Sequence, residues 1–175
     1  MRRIYLKLII LSIFFSGILL AQNSSKIGYI DSQSILKQWP KAQKAQKTIQ
    51  AAVQKVRTSM DNLQRAYQRE IQTYQQQSAL MPASRKKKTE QKIANMERRY
   101  KQLRGKLDPD GEIAKLNSKL MKPIIDKIQK VTKSVARKLG IKIVLDNNEQ
   151  VKNIWYADPK LNLTNKVLNK LITGK

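Results

Sequence analysis

IQAAVQKVRTSMDNLQRAY, residues 49–67, sets Ile49, Val53, Val56, Met60, Leu63 and Tyr67 at alternating steps of four and three. IANMERRYKQLRGKL, residues 93–107, repeats the pattern with Ile93, Met96, Tyr100, Leu103 and Leu107. Such spacing keeps one narrow apolar stripe turned toward a partner helix. Between the ladders lies Leu80-Met81-Pro82-Ala83-Ser84, a helix stop and restart that lets the second run fold back on the first. The pair reads as a long antiparallel helical arm. At ~1.5 Å per residue, a helix over residues 41–79 is on the order of 60 Å long. Its seam is thin and encloses no deep pocket, so it is built for reaching a partner rather than for housing a reaction.

Outward from the arm, composition narrows the function. The 175 residues hold 36 Lys and Arg against 12 Asp and Glu, a net charge of +24. Acidic partners are the first expectation. Cys and His are both absent, which removes disulfides, thiolate nucleophiles, imidazole bases and the commonest zinc ligands. An enzyme is not expected, and neither is any cofactor. Residues 41–107 carry 17 Lys and Arg but only Asp61, Glu70, Glu90 and Glu97 as acids. A solvated coiled-coil face normally pairs Glu with Lys, so this excess points to a role for the charge beyond solubility.

Arg2, Arg3 and Lys7 precede an apolar and small-residue run, residues 8–20, closed by Ala21-Gln22. That is the pattern of a cleaved secretory signal over residues 1–21; the run is shorter than the roughly 20 residues a bilayer-spanning helix needs. Its removal leaves 33 basic and 12 acidic side chains, net +21. Asn23-Ser24-Ser25 and Asn162-Leu163-Thr164 fit the glycosylation sequon, which carries no weight without a eukaryotic secretory context.

The ends of the chain supply the globular part. Ile27-Gly28-Tyr29-Ile30 reads as a strand, Asp31-Ser32 as a cap for a helix carrying Ile35, Leu36 and Trp39, and Pro40 as its interruption. Asp108-Pro109-Asp110-Gly111-Glu112 reads as an N-cap acid, a first-turn proline and first-turn acids. The amphipathic helix beyond runs through Ile113, Leu116, Leu120, Ile124, Ile128, Val131, Val135 and Leu139 to Gly140, with Pro123 expected to bend it. Ile141-Lys142-Ile143-Val144-Leu145 reads as a second strand, Ile154-Trp155-Tyr156 as a third, and Thr164 as the cap of a last short helix bearing Val167, Leu168, Leu171 and Ile172. The division is a signal at 1–21, a body at 22–40 and 108–175, and an arm at 41–107 with its tip near 80–86. So few strands are marginal alone, and several protomers are expected to share them.

The segments Ile27-Gly28-Tyr29-Ile30-Asp31, Lys122-Pro123-Ile124 with Ile128, Val135 and Ala136, Gly140-Ile141-Lys142-Ile143-Val144-Leu145-Asp146, and Leu163-Thr164 with Val167-Leu168 resemble, in order and spacing, the OmpH-like periplasmic chaperones of the Skp family. The resemblance spans essentially the whole chain after the signal. Asn162 departs from it, since the pattern often carries Asp before Leu-Thr. The resemblance implies an α+β fold in which a long helical hairpin projects from a small β-containing body completed by trimerisation. It further implies a periplasmic, ATP-independent holdase for unfolded outer-membrane proteins. The rival reading is a basic coiled-coil tether to anionic envelope lipid or polymer; a nucleic-acid partner is not expected. On the arm and tip the side chains expected to meet a partner are Arg57, Arg65, Arg69, Tyr74, Leu80, Met81, Arg85, Lys86, Lys87, Lys88, Met96, Arg98 and Arg99. The body and trimer core is expected from Ile27, Tyr29, Ile30, Ile128, Val131, Val135, Ile141, Ile143, Leu145 and Trp155.

Overall fold

The computed structural model describes residues 26–148 and 154–174; the signal segment and the first sequon, at residues 23–25, lie outside them. Strand β1 (Lys26–Ile30) leads into helix α1 (Ser32–Gln38). Asp31 caps α1, its Oδ1 accepting from the Ser34 amide at 2.9 Å. Trp39 closes α1 in an extended conformation, and Pro40 opens α2 (Pro40–Gln77) as its first residue. At that position the missing N–H costs nothing, because no carbonyl precedes it in the helix. Helix α2 has 38 residues, close to 57 Å at ~1.5 Å each.

A 3-10 turn (Ser78–Leu80) and Met81-Pro82 reverse the chain into α3 (Ala83–Gly105), which packs back along α2. The expected restart at Asp108 falls elsewhere. The Gly111 amide donates to the Asp108 carbonyl at 2.9 Å, closing a turn, and α4 (Glu112–Lys138) begins with Gly111 as an N-cap that has no side chain to offer. Backbone crowding explains the shift. A Cβ on Gly111 would stand 2.4 Å from the Gly105 carbonyl oxygen and 2.7 Å from that of Lys106, so only glycine fits at the elbow between arm and body.

Helix α4 passes through Pro123 unbroken and ends at Gly140, whose φ of 67° is the left-handed turn that glycine adopts cheaply. Strand β2 (Ile141–Asp146) then pairs in parallel with β1, in the register Ile27 to Ile143 and Tyr29 to Leu145. The whole arm is thus inserted within one parallel crossover. Helix α5 (Thr164–Thr173) completes the chain.

The expected third strand at residues 154–156 does not form: that segment is irregular, with Trp155 fully exposed. Instead Asn162 bridges Tyr29, and the Leu163 amide donates to the Tyr29 carbonyl at 2.8 Å. Successive carbonyls of a strand point to opposite sides, so β1 has Asn162 on one edge and β2 on the other, and residues 154–156 do not pair with the edge of β2 that stays open. The expected cap by Thr164 is also displaced. Asn162 Oδ1 accepts from the Thr164 amide at 2.9 Å, while Thr164 Oγ1 accepts from the Asp31 amide at 2.9 Å and ties α5 to the start of α1.

The core gathers Ile30, Ile35, Trp39, Ala42 and Ala45 with Ile124, Ile128, Val131 and Val135 of α4 and Leu163, Val167, Leu168 and Leu171 of the C-terminal segment. Ala42 and Ala45 place the first turns of α2 in the body, where their small side chains let α2 approach. Of the residues expected in the body core, Ile30, Ile128, Val131 and Val135 are buried in the single chain, and Tyr29 and Ile141 are half-buried. Ile27, Ile143 and Leu145 are 44, 47 and 43% exposed. The alternation of side chains along a strand explains the split: Gly28, Ile30 and Val144 face the helices, whereas Ile27, Tyr29, Ile143 and Leu145 share the opposite, uncovered face. No helix among the described residues is long and apolar enough to cross a membrane.

Candidate functional site

The arm is held by a seam with little depth. Val56 is buried, while Ile49, Val53, Met60, Leu63 and Tyr67 of α2 and Ile93, Met96, Tyr100, Leu103 and Leu107 from the returning side are half-buried; no residue of α3 is buried outright. Two helices without a third to cover them cannot exclude water from both flanks. The result is an open groove of about 570 Å³ in which Leu63, Tyr67, Met96 and Tyr100 form the apolar floor and Gln64, Gln68, Glu97 and Lys101 the rim.

Polar clasps reinforce that seam toward the tip. The Tyr67 hydroxyl donates to Glu97 Oε1 at 2.8 Å, Lys92 Nζ pairs with Glu70 Oε2 at 2.6 Å, and the Tyr74 hydroxyl donates to Glu90. Three of the arm's four acids are therefore spent on joining α2 to α3. Hydrogen bonding to Glu97, followed by desolvation, raises the Tyr67 phenol above its ordinary value, and Glu90 does the same to Tyr74. At the elbow Lys106 Nζ meets Glu112 Oε2 at 2.7 Å, and this bond lowers the Glu112 carboxyl below its usual value.

Sequence spacing shows Tyr67 as a rung of the apolar ladder and puts Tyr74 one heptad further along the same face, but not that their hydroxyls reach across. The usable signal is the order of the residues: in an antiparallel hairpin with its turn near residue 81, Tyr74 lies opposite Glu90 and Tyr67 opposite Glu97.

With its acids so engaged, the arm presents mostly cations. Arg57, Arg65, Arg69, Arg85, Lys86, Lys87, Lys88, Arg98 and Arg99 are all exposed. Arg65 donates to Asn62 Oδ1 at 2.6 Å and Arg98 to Asn95, contacts within one helix that orient the guanidinium groups along the arm. At the tip Leu80 is 89% exposed, Met81 is half-buried, and the Arg85–Lys88 cluster follows within about one turn of α3. Tyr74 and Met96 lie instead at the seam, Tyr74 in its clasp and Met96 in the groove floor. Thus the expected partner-facing residues divide into an exposed cationic set with an apolar tip, and two that lie at the seam, of which Met96 lines the crevice. Among the described residues no cluster of three acids gathers that could hold a metal ion.

A second groove, of about 580 Å³, lies on the body between α4 and β2, with Ile30, Ile128, Thr132, Ile141, Val144 and Leu145 in its lining. Thr132 Oγ1 is buried there without a hydrogen-bond partner.

A long basic hairpin, clasped by its few acids and inserted into a small parallel α+β body, defines a class of arm-bearing α+β proteins. The chain belongs to the OmpH-like outer membrane protein family, whose model matches residues 26–171. It is 24% identical to the chaperone protein Skp of Yersinia enterocolitica over 159 residues, covering 89% of this chain and 93% of that protein. The fold is also that of an OmpH-like protein from Caulobacter crescentus CB15 known from a crystal structure, with a TM-score of 0.65 over 85% of each chain at 11% identity.

Proposed function

We propose that this protein is an ATP-independent holdase that keeps unfolded outer-membrane proteins soluble in the periplasm, acting as a homotrimer with three arms around a shared space. The observation that carries the reading is the arm itself: an exposed cationic surface of great length, a shallow apolar crevice and an exposed apolar tip, with no enclosed pocket. Charge brings an acidic unfolded chain in, and many weak contacts, each easily exchanged, retain it without a fixed sequence requirement. Family membership and the Skp relative support the chaperone role. The uncovered sheet face of Ile27, Tyr29, Ile143 and Leu145 supports sharing of the body, since a two-stranded sheet with one bare apolar face is marginal by itself.

The exposed Leu80 beside Arg85–Lys88 favours one alternative, a tether to anionic lipid. Both readings meet in a single experiment: a urea-unfolded outer-membrane barrel protein is diluted with this protein in the absence of nucleotide and lipid, and liposome sedimentation is run in parallel. Suppressed aggregation supports the holdase. Unchanged aggregation together with co-sedimentation on anionic liposomes replaces it with the tether.

A further inference from the structure

Helix α4 carries a feature that the arm does not explain. Lys115, Lys119, Lys122, Lys130, Lys133 and Arg137 recur at spacings that bring all six within a narrow arc of the helix, opposite the face on which Ile124, Ile128, Val131 and Val135 enter the core. All six are exposed, and Asp126 is the one acid among them. Neither of the ion pairs found among the described residues, Lys92 with Glu70 and Lys106 with Glu112, involves this row. Like charges three and four residues apart weaken a helix, and here two triplets, Lys115, Lys119 and Lys122 and then Lys130, Lys133 and Arg137, stand at those spacings, with Asp126 four residues from both Lys122 and Lys130, along a helix that forms the spine of the body. The row runs on the order of 33 Å from Lys115 to Arg137 at ~1.5 Å per residue.

We propose that this row is a docking track for an extended acidic segment of a polypeptide, separate from the arm. Geometry selects that occupant. Cations three and four residues apart on a helix recur every ~5–6 Å. Same-side side chains of an extended chain recur every ~6.6 Å, so a chain with acids in alternating positions can meet the two triplets in turn, passing Asp126 between them. A helix that lies on a membrane turns its apolar face to the lipid, and the apolar face of α4 is already consumed by the body core. The track shares with the holdase reading only the class of partner, an unfolded acidic chain; it adds a second place of attachment at the root of the arm.

The test uses a fluorescent twelve-residue peptide alternating Glu and Thr, with anisotropy read at low salt on the intact protein. The variant carries Lys115→Gln, Lys119→Gln, Lys122→Gln and Lys130→Gln; Lys133 and Arg137 are kept because they border the groove on the body. We expect the peptide to bind the parent protein, to bind this variant at least about tenfold more weakly, and to bind a variant with Arg85, Lys86, Lys87 and Lys88 changed to Gln as tightly as the parent. Circular dichroism and solution mass matching the parent confirm that the fourfold variant is folded. Equal affinity in parent and fourfold variant overturns the track, as does loss of binding in the tip variant alone, or displacement of the peptide by anionic liposomes in preference to an acidic polypeptide. Aggregation suppression by the fourfold variant is measured separately. A parent protein that binds the peptide but suppresses no aggregation keeps the track and refutes the holdase; suppression without peptide binding does the reverse.

Discussion

Replacing Gly111 by alanine should loosen the joint between arm and body. The backbone at Gly111 has φ −71° and ψ −179°, a conformation alanine adopts freely, so the cost comes from collision alone. The new Cβ would lie 2.4 Å from the Gly105 carbonyl oxygen, 2.7 Å from the Lys106 oxygen and 2.8 Å from the Lys106 carbonyl carbon, where ordinary contact starts at 3.4 Å. These are backbone atoms and cannot rotate away, so the strands of the elbow must part by about 1 Å. The Ile113 amide bond to the Lys106 carbonyl, now 3.0 Å, would stretch beyond hydrogen-bonding distance. One lost bond at ~1 kcal/mol and the overpacking strain together give about 2–4 kcal/mol. In a chain of this size that lowers the melting temperature by about 5–15 °C. Thermal circular dichroism reads the shift, and hydrogen exchange should localise it to residues 103–116. Gly105→Ala is the control: its Cβ meets nothing closer than Asp108 Oδ2 at 3.7 Å, and the site is helical, so stability should be unchanged or slightly higher. A Gly111→Ala protein that melts within about 2 °C of the parent would refute the elbow reasoning.

Other consequences follow from single contacts. Ile35 is fully buried at the centre of the body, so Ile35→Ala should cost about 2–5 kcal/mol in urea denaturation; a loss under 1 kcal/mol would show that the core lies elsewhere. Because Glu97 and Glu90 raise the phenols of Tyr67 and Tyr74, the neutral forms are favoured in the folded arm, and this support is complete below pH 10 and fades as pH rises through the raised folded-state values. Amide protection in the outer half of the arm should therefore hold through mild alkali and fall only above pH 10, and a Tyr67→Phe, Tyr74→Phe protein should have lost that protection already at neutral pH. Glu112 behaves in the opposite sense: lowered by Lys106, it supports the elbow above the ordinary carboxyl value of 4.5 and ceases to as pH falls through its lowered value. Glu112→Gln should abolish that acid sensitivity in hydrogen exchange at residues 106–115. Raising salt should slow capture of an acidic unfolded barrel protein in stopped-flow mixing, and an association rate indifferent to salt would remove the electrostatic step.

What could be read from residue order differs from what needed coordinates for definite physical reasons. The arm was legible because a two-helix seam must repeat at three and four, and Ile49 through Tyr67 and Ile93 through Leu107 do so on either side of the turn at Pro82. The cap at Asp31 and the stop at Gly140 were legible because local backbone chemistry dictates them. The start of α4 was not, because Asp108-Pro109 has good capping chemistry, and what excludes it is the close approach of Gly111 to the Gly105 and Lys106 carbonyls. Trp155 has the composition of a strand, but composition does not supply the pairing: Asn162 and β2 take both edges of β1, and residues 154–156 do not take the open edge of β2. The Tyr–Glu clasps are hidden in the sequence because an apolar ladder and a polar bridge use the same positions.

Unfolded chains lying along the arm are the central feature of the proposed holdase, and site-specific photo-crosslinking tests that most directly. A photoreactive residue is placed singly at Arg65, Arg69 and Arg98 on the arm and at Lys166 on the outside of α5, and each protein is irradiated with a urea-diluted outer-membrane barrel protein. Adducts from the three arm positions, few from Lys166, and none with the same barrel protein once folded in detergent are the predicted result. Adducts confined to Lys166, or equal yields with the folded barrel, would contradict it.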